Sequence, residues 1–466
     1  MHCQANTQIF LQNLQLMHDF CIDSDTQSSQ FMRIQDHLGK ITWTMLDKGL
    51  FMVYGLIRLY QVSLMSPSEF GLFALLDAII IAISTLTDSF ALNGIVKYGS
   101  RGGERAKFNM LITISHIGIS VFLCGLIYSS RYQLAQIFNE QGIIAIAEYV
   151  PLLMVLTIPR LYFIKFLLRE TKMREVFIAN GTWFFTMIGM TVFFGNQYGH
   201  LTLGQMVVIS CTGTGLGSLI GGMLSFSSIE LSKPNTSIMR EFFTFGAYQV
   251  AWNIPASIMR HLDLYIIQFF FGTTIVGIFQ SAKTLYRFFE ALIDGISGLY
   301  YPALVRMHAR GDTVAEHAMT SKIISFTMFA MVVIVMSLNL GLGEWLIDTF
   351  LSSKYVMAYQ HFSLLMICAI MLPMMISAII YITRDHMKAL LMNALISASM
   401  GITVSILIGM SGHSELIALG TMSYVFTFSL IGIIYAMKQK IFSPKDFFRA
   451  IPDTMHFVRS LMHRKT

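Results

Sequence analysis

Residues Thr273–Pro302 read TTIVGIFQSAKTLYRFFEALIDGISGLYYP. The run is long enough to cross a bilayer, yet it carries Lys283, Arg287, Glu290 and Asp294 at spacings i, i+4, i+7 and i+11. At about 100° per residue these positions fall within about 60° of one another, so the charges share one helix face. The rest of the circumference is apolar. A charge at the bilayer centre costs ~2.5–3.5 kcal/mol on insertion scales. Such a stripe persists only if it faces protein, water or a charged substrate, so the stretch predicts a polar interior within the membrane and points to transport. The bland alternative is a satisfied packing network, with Arg287 and Glu290 paired along the helix and Lys283 snorkelling outward.

The composition around this stretch agrees with a membrane setting. The chain has 466 residues, 55% hydrophobic and 12% charged, with mean hydropathy +0.62. Soluble domains carry about 25% charged residues, so a polytopic membrane protein is expected. Cys3, Cys21, Cys124, Cys211 and Cys368 have neither metal-ligand nor redox spacing. There is no Walker A sequence, metal-spaced cluster or nucleophile elbow, so neither a cofactor nor an enzyme activity is expected. The net charge of +6 comes partly from the C-terminal tail and is not read as a nucleic-acid signature.

Counting runs of ~20 mostly apolar residues gives twelve spans, at about 42–64, 68–97, 108–130, 142–168, 174–196, 203–227, 241–271, 274–302, 318–341, 358–383, 387–410 and 415–437. Loops after the even-numbered spans contain Lys97/Arg101/Arg105/Lys107, Arg169/Lys172/Arg174, Lys233/Arg240, Arg306/Arg310 and Arg384/Lys388. Those after the odd-numbered spans hold only Arg131 and Lys354. The positive-inside rule therefore places the even-side loops and both termini in the cytoplasm. Residues 1–40 form a cytoplasmic leader without signal-peptide character, and Met32 is expected to be the physiological start, which would make 1–31 non-native. Residues 438–466 form a basic, aromatic cytoplasmic tail, either lying on the anionic membrane face or simply solvated.

The halves repeat weakly. At a separation of 206 residues Glu69-Phe70-Gly71-Leu72-Phe73 falls on Ile275-Val276-Gly277-Ile278-Phe279, and Asp88 on Asp294. Asp47 then falls on Asn253 and Tyr54 on Arg260, while Pro159 and Pro373 match at 214. The expected fold is all-α and polytopic: about twelve transmembrane helices in two pseudo-two-fold-related six-helix bundles around a central cavity. The lobes would be 41–228 and 241–437, joined by a cytoplasmic linker at 229–240.

Polar stripes recur on repeat-equivalent spans. Span 1 carries Asp47, Tyr54, Arg58 and Gln61; span 2 Asp77, Ser84 and Asp88; span 7 Gln249, Asn253, Arg260 and Asp263. His116 reads as a hydrogen-bonded packing histidine, and Gly213, Gly217 and Gly221 as a close helix contact. Arg160, after Pro159, serves either the cavity or the headgroups.

Phe70-Gly71-Leu72-Phe73, the Lys97-Tyr98 and Arg101-Gly102 exit, Leu262-Asp263-Leu264-Tyr265, and Leu299-Tyr300-Tyr301-Pro302 followed by Arg310-Gly311-Asp312 together resemble the polysaccharide-biosynthesis flippases. These are the Wzx-type O-antigen translocases of the multidrug/oligosaccharidyl-lipid/polysaccharide superfamily, and the resemblance runs from about Leu38 to Lys440. It implies V-shaped alternating access and an undecaprenyl-pyrophosphate-linked oligosaccharide carried from the cytoplasmic to the periplasmic leaflet of a bacterial inner membrane. A polysaccharide polymerase and a chain-length regulator are the implied partners. A pyrophosphate crossing the membrane needs fixed cations, for which Arg58, Arg260, Lys283 and Arg287 are the candidates. Asp88, Asp263, Glu290 and Asp294 would pair with them in the empty site and serve in gating or ion coupling. The rivals are a multidrug or cation-coupled exporter of the same superfamily and an O-antigen polymerase or ligase. Cationic cavity candidates disfavour the first, and short external loops the second.

Overall fold

The computed structural model describes residues 34–99, 101–351, 353–443 and 445, and their side chains except those of 34–38, 41 and 252–260. Most of the leader, and the tail from 446 onward, therefore lie outside the described residues. Apart from an isolated bridge between Met65 and Leu201, the described secondary structure is helical.

By packing, the chain divides between Gln280 and Ser281. The first unit contains α1 (Ile34–Leu64), α2 (Pro67–Thr87), a π turn (Asp88–Leu92), α3 (Asn93–Lys97), α4 (Arg105–Ser129), α5 (Arg131–Ile137), α6 (Gly142–Arg169), α7 (Met173–Tyr198), α8 (Leu203–Ser225) and α9 (Thr236–Phe271). The division falls inside α10 (Thr273–Ala309). The second unit continues with α11 (Thr313–Ser337), α12 (Gly343–Leu351), α13 (Ala358–Ala369), α14 (Ser377–Thr383), α15 (Met387–Ser411) and α16 (Ala418–Lys438).

Among the described residues, eight helical segments are long and apolar enough to cross a membrane; a ninth is added if α13 and the stretch Leu372–Thr383, bent by 50° at the break between them, make one span. This is a multipass all-α membrane protein. The remaining expected spans, 1, 7 and 8, correspond to α1, α9 and α10. Those helices have 31, 36 and 37 residues. At 1.5 Å per residue they are about 46–55 Å long, more than the ~30 Å hydrocarbon core requires. Length is therefore not what sets them apart. They are rich in charged residues, which lower their hydropathy, and in α1 and α9 some side chains lie outside the described residues.

Local chemistry sets the helix ends. Ser66 caps α2, accepting from Glu69 N at 3.3 Å, with Pro67 in the first turn where a missing N–H costs nothing. Thr202 and Gln205 form a reciprocal capping box at α8, and the Glu69 carboxylate accepts from Leu203 N at 2.5 Å. Asn235 and Asp312 cap α9 and α11. Large apolar side chains such as Phe122, Val155 and Phe185 are exposed in mid-helix, as lipid-facing surfaces require.

One crossing in the first unit depends on glycine. A Cβ on Gly71 of α2 would lie 2.0 Å from Thr273 O, and one on Gly277 of α10 would lie 1.8 Å from Pro67 O. The glycines that the repeat aligns thus meet each other backbone to backbone. The same crossing is tied at its side by Thr273 Oγ1, which donates to Glu140 Oε2 at 2.5 Å.

Each unit also has an arginine staple at its basic-loop end. In the first, Arg169 at the end of α6 donates to Ser228 O at 2.8 Å and to Asn109 Oδ1 at 3.5 Å. In the second, Arg384 after α14 donates to Glu316 Oε2 at 2.8 Å and to Gln439 Oε1 at 3.0 Å. The first joins α4 to the residues that follow α8, and the second joins α11 to the residue that follows α16.

Candidate functional site

The first unit holds three cations inside the apolar bundle. Arg58 on α1 lies 3.0 Å from Asp77 Oδ2 on α2 and donates to Gln61 Oε1 at 3.1 Å. Gln61 in turn donates to Thr191 Oγ1 on α7 at 2.8 Å. The guanidinium sits 4.5 Å from the Phe73 ring centroid and 5.5 Å from that of Tyr54. The stripe expected on span 1 is therefore real, and it finds its countercharge on span 2.

Arg160 follows Pro159 in α6 and is 4% exposed, so it serves the interior rather than the headgroups. It donates to Asn180 Oδ1 at 2.9 Å and lies 4.4 Å over the Trp183 ring. Asn180 relays the contact by donating to Asp47 Oδ1 at 2.9 Å. Between the two arginines lies a cavity of roughly 50 Å³, lined by Tyr54, Arg58, Asp77, Thr157, Arg160 and Trp183 among others. That volume suits a water or two, not a sugar.

Asp88 has a partner that sequence reading missed. Lys165 of α6 brings its Nζ 2.8 Å from Asp88 Oδ1 and donates to Asn93 Oδ1 at 2.9 Å. In a regular α-helix residues five apart diverge by about 140°. The π turn, in which Asn93 N–H bonds Asp88 O, closes that gap and aims both acceptors at one ammonium. Lys165 sits in the apolar run FIKFLLR, where a lone cation near a span end reads as a snorkelling residue; no spacing signal could have paired it with Asp88. His116 is buried on α4 with Nε2 3.2 Å from Ile158 O, the packing histidine expected.

In the second unit Lys283 of α10 is 5% exposed, which rules out snorkelling. Arg287, Glu290 and Asp294 follow it along the helix, each half-buried. Among the described residues no hydrogen bond or ion pair joins Arg287 to Glu290, so the intrahelical pair of the bland alternative is not formed. Tyr286, beside the stripe, meets Cys368 Sγ of α13 at 3.4 Å. On α9 Asp263 is half-buried, with Oδ1 accepting from Leu264 N at 2.9 Å. The Arg260 and Asn253 side chains lie outside the described residues. Among those described, no group of three or more His, Cys, Asp or Glu is placed to hold a metal.

This arrangement of buried cations on a multipass helical bundle can now be set beside known proteins. Residues 62–360 match the family described as "Polysaccharide biosynthesis protein". The chain belongs to that family. No curated protein is significantly similar to it in sequence. Among solved structures it resembles a lipid II flippase, MurJ, in an inward closed conformation, with TM-score 0.66 at 19% identity over 91% of this chain and 92% of that one. It also resembles a multidrug resistance MATE family transporter, inward-facing, with TM-score 0.66 at 14% identity over 84% and 95%. The outward-facing form of a MATE family transporter gives TM-score 0.57 at 14% identity over 86% and 94%. At these identities the likeness establishes the fold alone.

Proposed function

We propose that the protein is a flippase that carries an undecaprenyl-pyrophosphate-linked oligosaccharide, such as an O-antigen repeat unit, from the cytoplasmic to the periplasmic leaflet. The observation that carries this reading is Lys283, a cation 5% exposed within a helix of a polysaccharide-biosynthesis family fold, followed on one face by Arg287. A diphosphate needs fixed cations to leave water, and two on one face of a helix can supply them. The likeness to a structure of a lipid II flippase supports a lipid-linked cargo.

In this reading Arg58, Arg260, Lys283 and Arg287 receive the diphosphate, and Asp88, Asp263, Glu290 and Asp294 gate the path or couple it to an ion. Asp88, held by Lys165, would contribute by releasing that lysine. The twelve helices would form two six-helix halves related by the repeat, 41–228 and 241–437, that work by alternating access. Two matched features support that division: the meeting of Gly71 with Gly277 and the arginine staple in each unit. The location would be the bacterial inner membrane with both termini cytoplasmic. A polymerase and a chain-length regulator would use the product, in lipopolysaccharide or related glycan synthesis.

Multidrug export is the rival, supported by equal likeness to a MATE structure. It would call for an acidic, aromatic site, whereas the cations here favour an anionic cargo. The test is a deletion strain: loss of surface polysaccharide with accumulation of the lipid-linked repeat unit supports the flippase. Intact polysaccharide with raised sensitivity to cationic dyes would favour the exporter.

A further inference from the structure

Outside the buried stripes, the first unit has a larger cavity at its basic-loop face, about 450 Å³ in volume. It is lined by Lys97, which closes α3, and by Arg240, Glu241, Thr244, Phe245 and Tyr248 from the first turns of α9. Residues 237, 240, 244 and 248 share one face of α9 by helical spacing. The opposite face is clamped into the core: Ile238 and Phe242 are buried, and a Cβ on Gly246 would lie 2.6 Å from Phe90 O. The cavity wall is therefore held in place by packing, although its side chains are open.

Its charge is unbalanced. Glu241 is the acid in the wall, and Arg101 occupies both of its oxygens, each at 2.8 Å. Lys97 Nζ lies 3.7 Å from the Phe245 ring centroid and 5.2 Å from that of Tyr98, and among the described residues no acidic group is in ion-pair range. Among the described residues the Arg240 guanidinium makes no hydrogen bond or ion pair. Two cations thus flank a pocket whose only carboxylate is already neutralised. Lys97 is also the last residue of the apolar segment Pro67–Lys97, so the pocket lies at the end of a segment long and apolar enough to cross a membrane. Tyr248, two turns deeper along α9, is 75% exposed and offers a surface to a lipid chain.

We propose that this cavity is a binding site for the phosphate group of a membrane lipid, held between Lys97 and Arg240 with the chain running past Tyr248. Lysine supplies a point charge and arginine a planar fork, a combination suited to a phosphate or diphosphate head. The lipid is either an acidic phospholipid of the bulk membrane or a polyprenyl diphosphate carrier, and the site does not depend on the transport reading above.

The experiment titrates the purified full-length protein, in neutral detergent, with short-chain polyprenyl diphosphate, phosphatidylglycerol and inorganic pyrophosphate, read by native mass spectrometry. Arg240→Gln alone should weaken lipid binding about fivefold, and Lys97→Gln with Arg240→Gln about thirtyfold, on the usual worth of basic residues at an anionic lipid surface. A loss confined to polyprenyl diphosphate identifies the carrier as the ligand, and one confined to phosphatidylglycerol identifies the bulk lipid. Equal affinity in the wild type and the double variant overturns the site while leaving the transport reading untouched. Pyrophosphate binding as tightly as either lipid overturns it as well. The Arg240 side chain is exposed and unpaired among the described residues, so its single variant folds and gives an answer even if Lys97→Gln does not.

Discussion

Replacing Asp88 by Asn tests whether the π turn exists to hold a buried ion pair. The Lys165 and Asp88 side chains are 4% and 10% exposed, and their charged atoms are 2.8 Å apart. Asn preserves shape and still offers an oxygen, as does Asn93 at 2.9 Å, but the ammonium loses its countercharge. Breaking a buried pair from one side costs ~3–5 kcal/mol, because the remaining charge stays desolvated. For a unit of this size each kcal/mol shifts the midpoint by roughly 2–4 °C, so a fall of about 6–20 °C is expected. Adding Lys165→Met removes the stranded charge while keeping the apolar stem volume, and should recover most of the loss. The assay is the fraction remaining monodisperse in detergent after heating, for the wild type, both single variants and the double. Asp88→Asn as stable as wild type, or a double variant no better than the single, would refute the pairing argument. Surface polysaccharide in the same strains adds a second reading: a stable double variant without transport assigns Asp88 a role in the cycle beyond packing.

Other consequences can be checked independently. Gly71→Leu or Gly277→Leu should force α2 and α10 apart and cost ~1–3 kcal/mol as an overpacked contact; unchanged heat stability in both would contradict the crossing. Lys283→Ala and Arg287→Ala should each abolish surface polysaccharide while the protein still accumulates in the membrane, and normal polysaccharide in both would sink the anionic-cargo reading. Arg384→Ala strands the Glu316 carboxylate, which is 1% exposed, against His308 alone. It should cost ~3 kcal/mol or more, with partial recovery on adding Glu316→Gln; the check is proteolysis at the basic-loop face.

The membrane class and the polar stripes were legible because apolar length and helical periodicity are local properties. The stripe positions of Arg58, Asp77 and Lys283 follow from spacing, and the structure buries Lys283 where snorkelling was the alternative. The pairing of those charges was not legible. Asp77 with Arg58, Asn180 with Asp47 and Arg160, and Lys165 with Asp88 each join different helices, and single-chain periodicity carries no inter-helix register. The π turn adds to this, since it rotates Asn93 by a wide angle from its α-helical position and no residue in DSFAL announces it. Arg160 was ambiguous because a cation near a span end can reach water or turn inward, and its contacts with Trp183 and Asn180 on α7 turn it inward. Glu316 carries no sequence signal of its enclosure by Arg384, 68 residues away, and His308.

Leaflet access of the lipid-linked oligosaccharide tests the central claim most directly. In membranes depleted of the protein, the radiolabelled repeat unit should accumulate and remain inaccessible to a membrane-impermeant glycosidase added from the periplasmic side. Restoring the wild type should make it accessible within the period of the assay, whereas restoring Lys283→Ala should not. Equal accessibility with and without the protein would contradict the account.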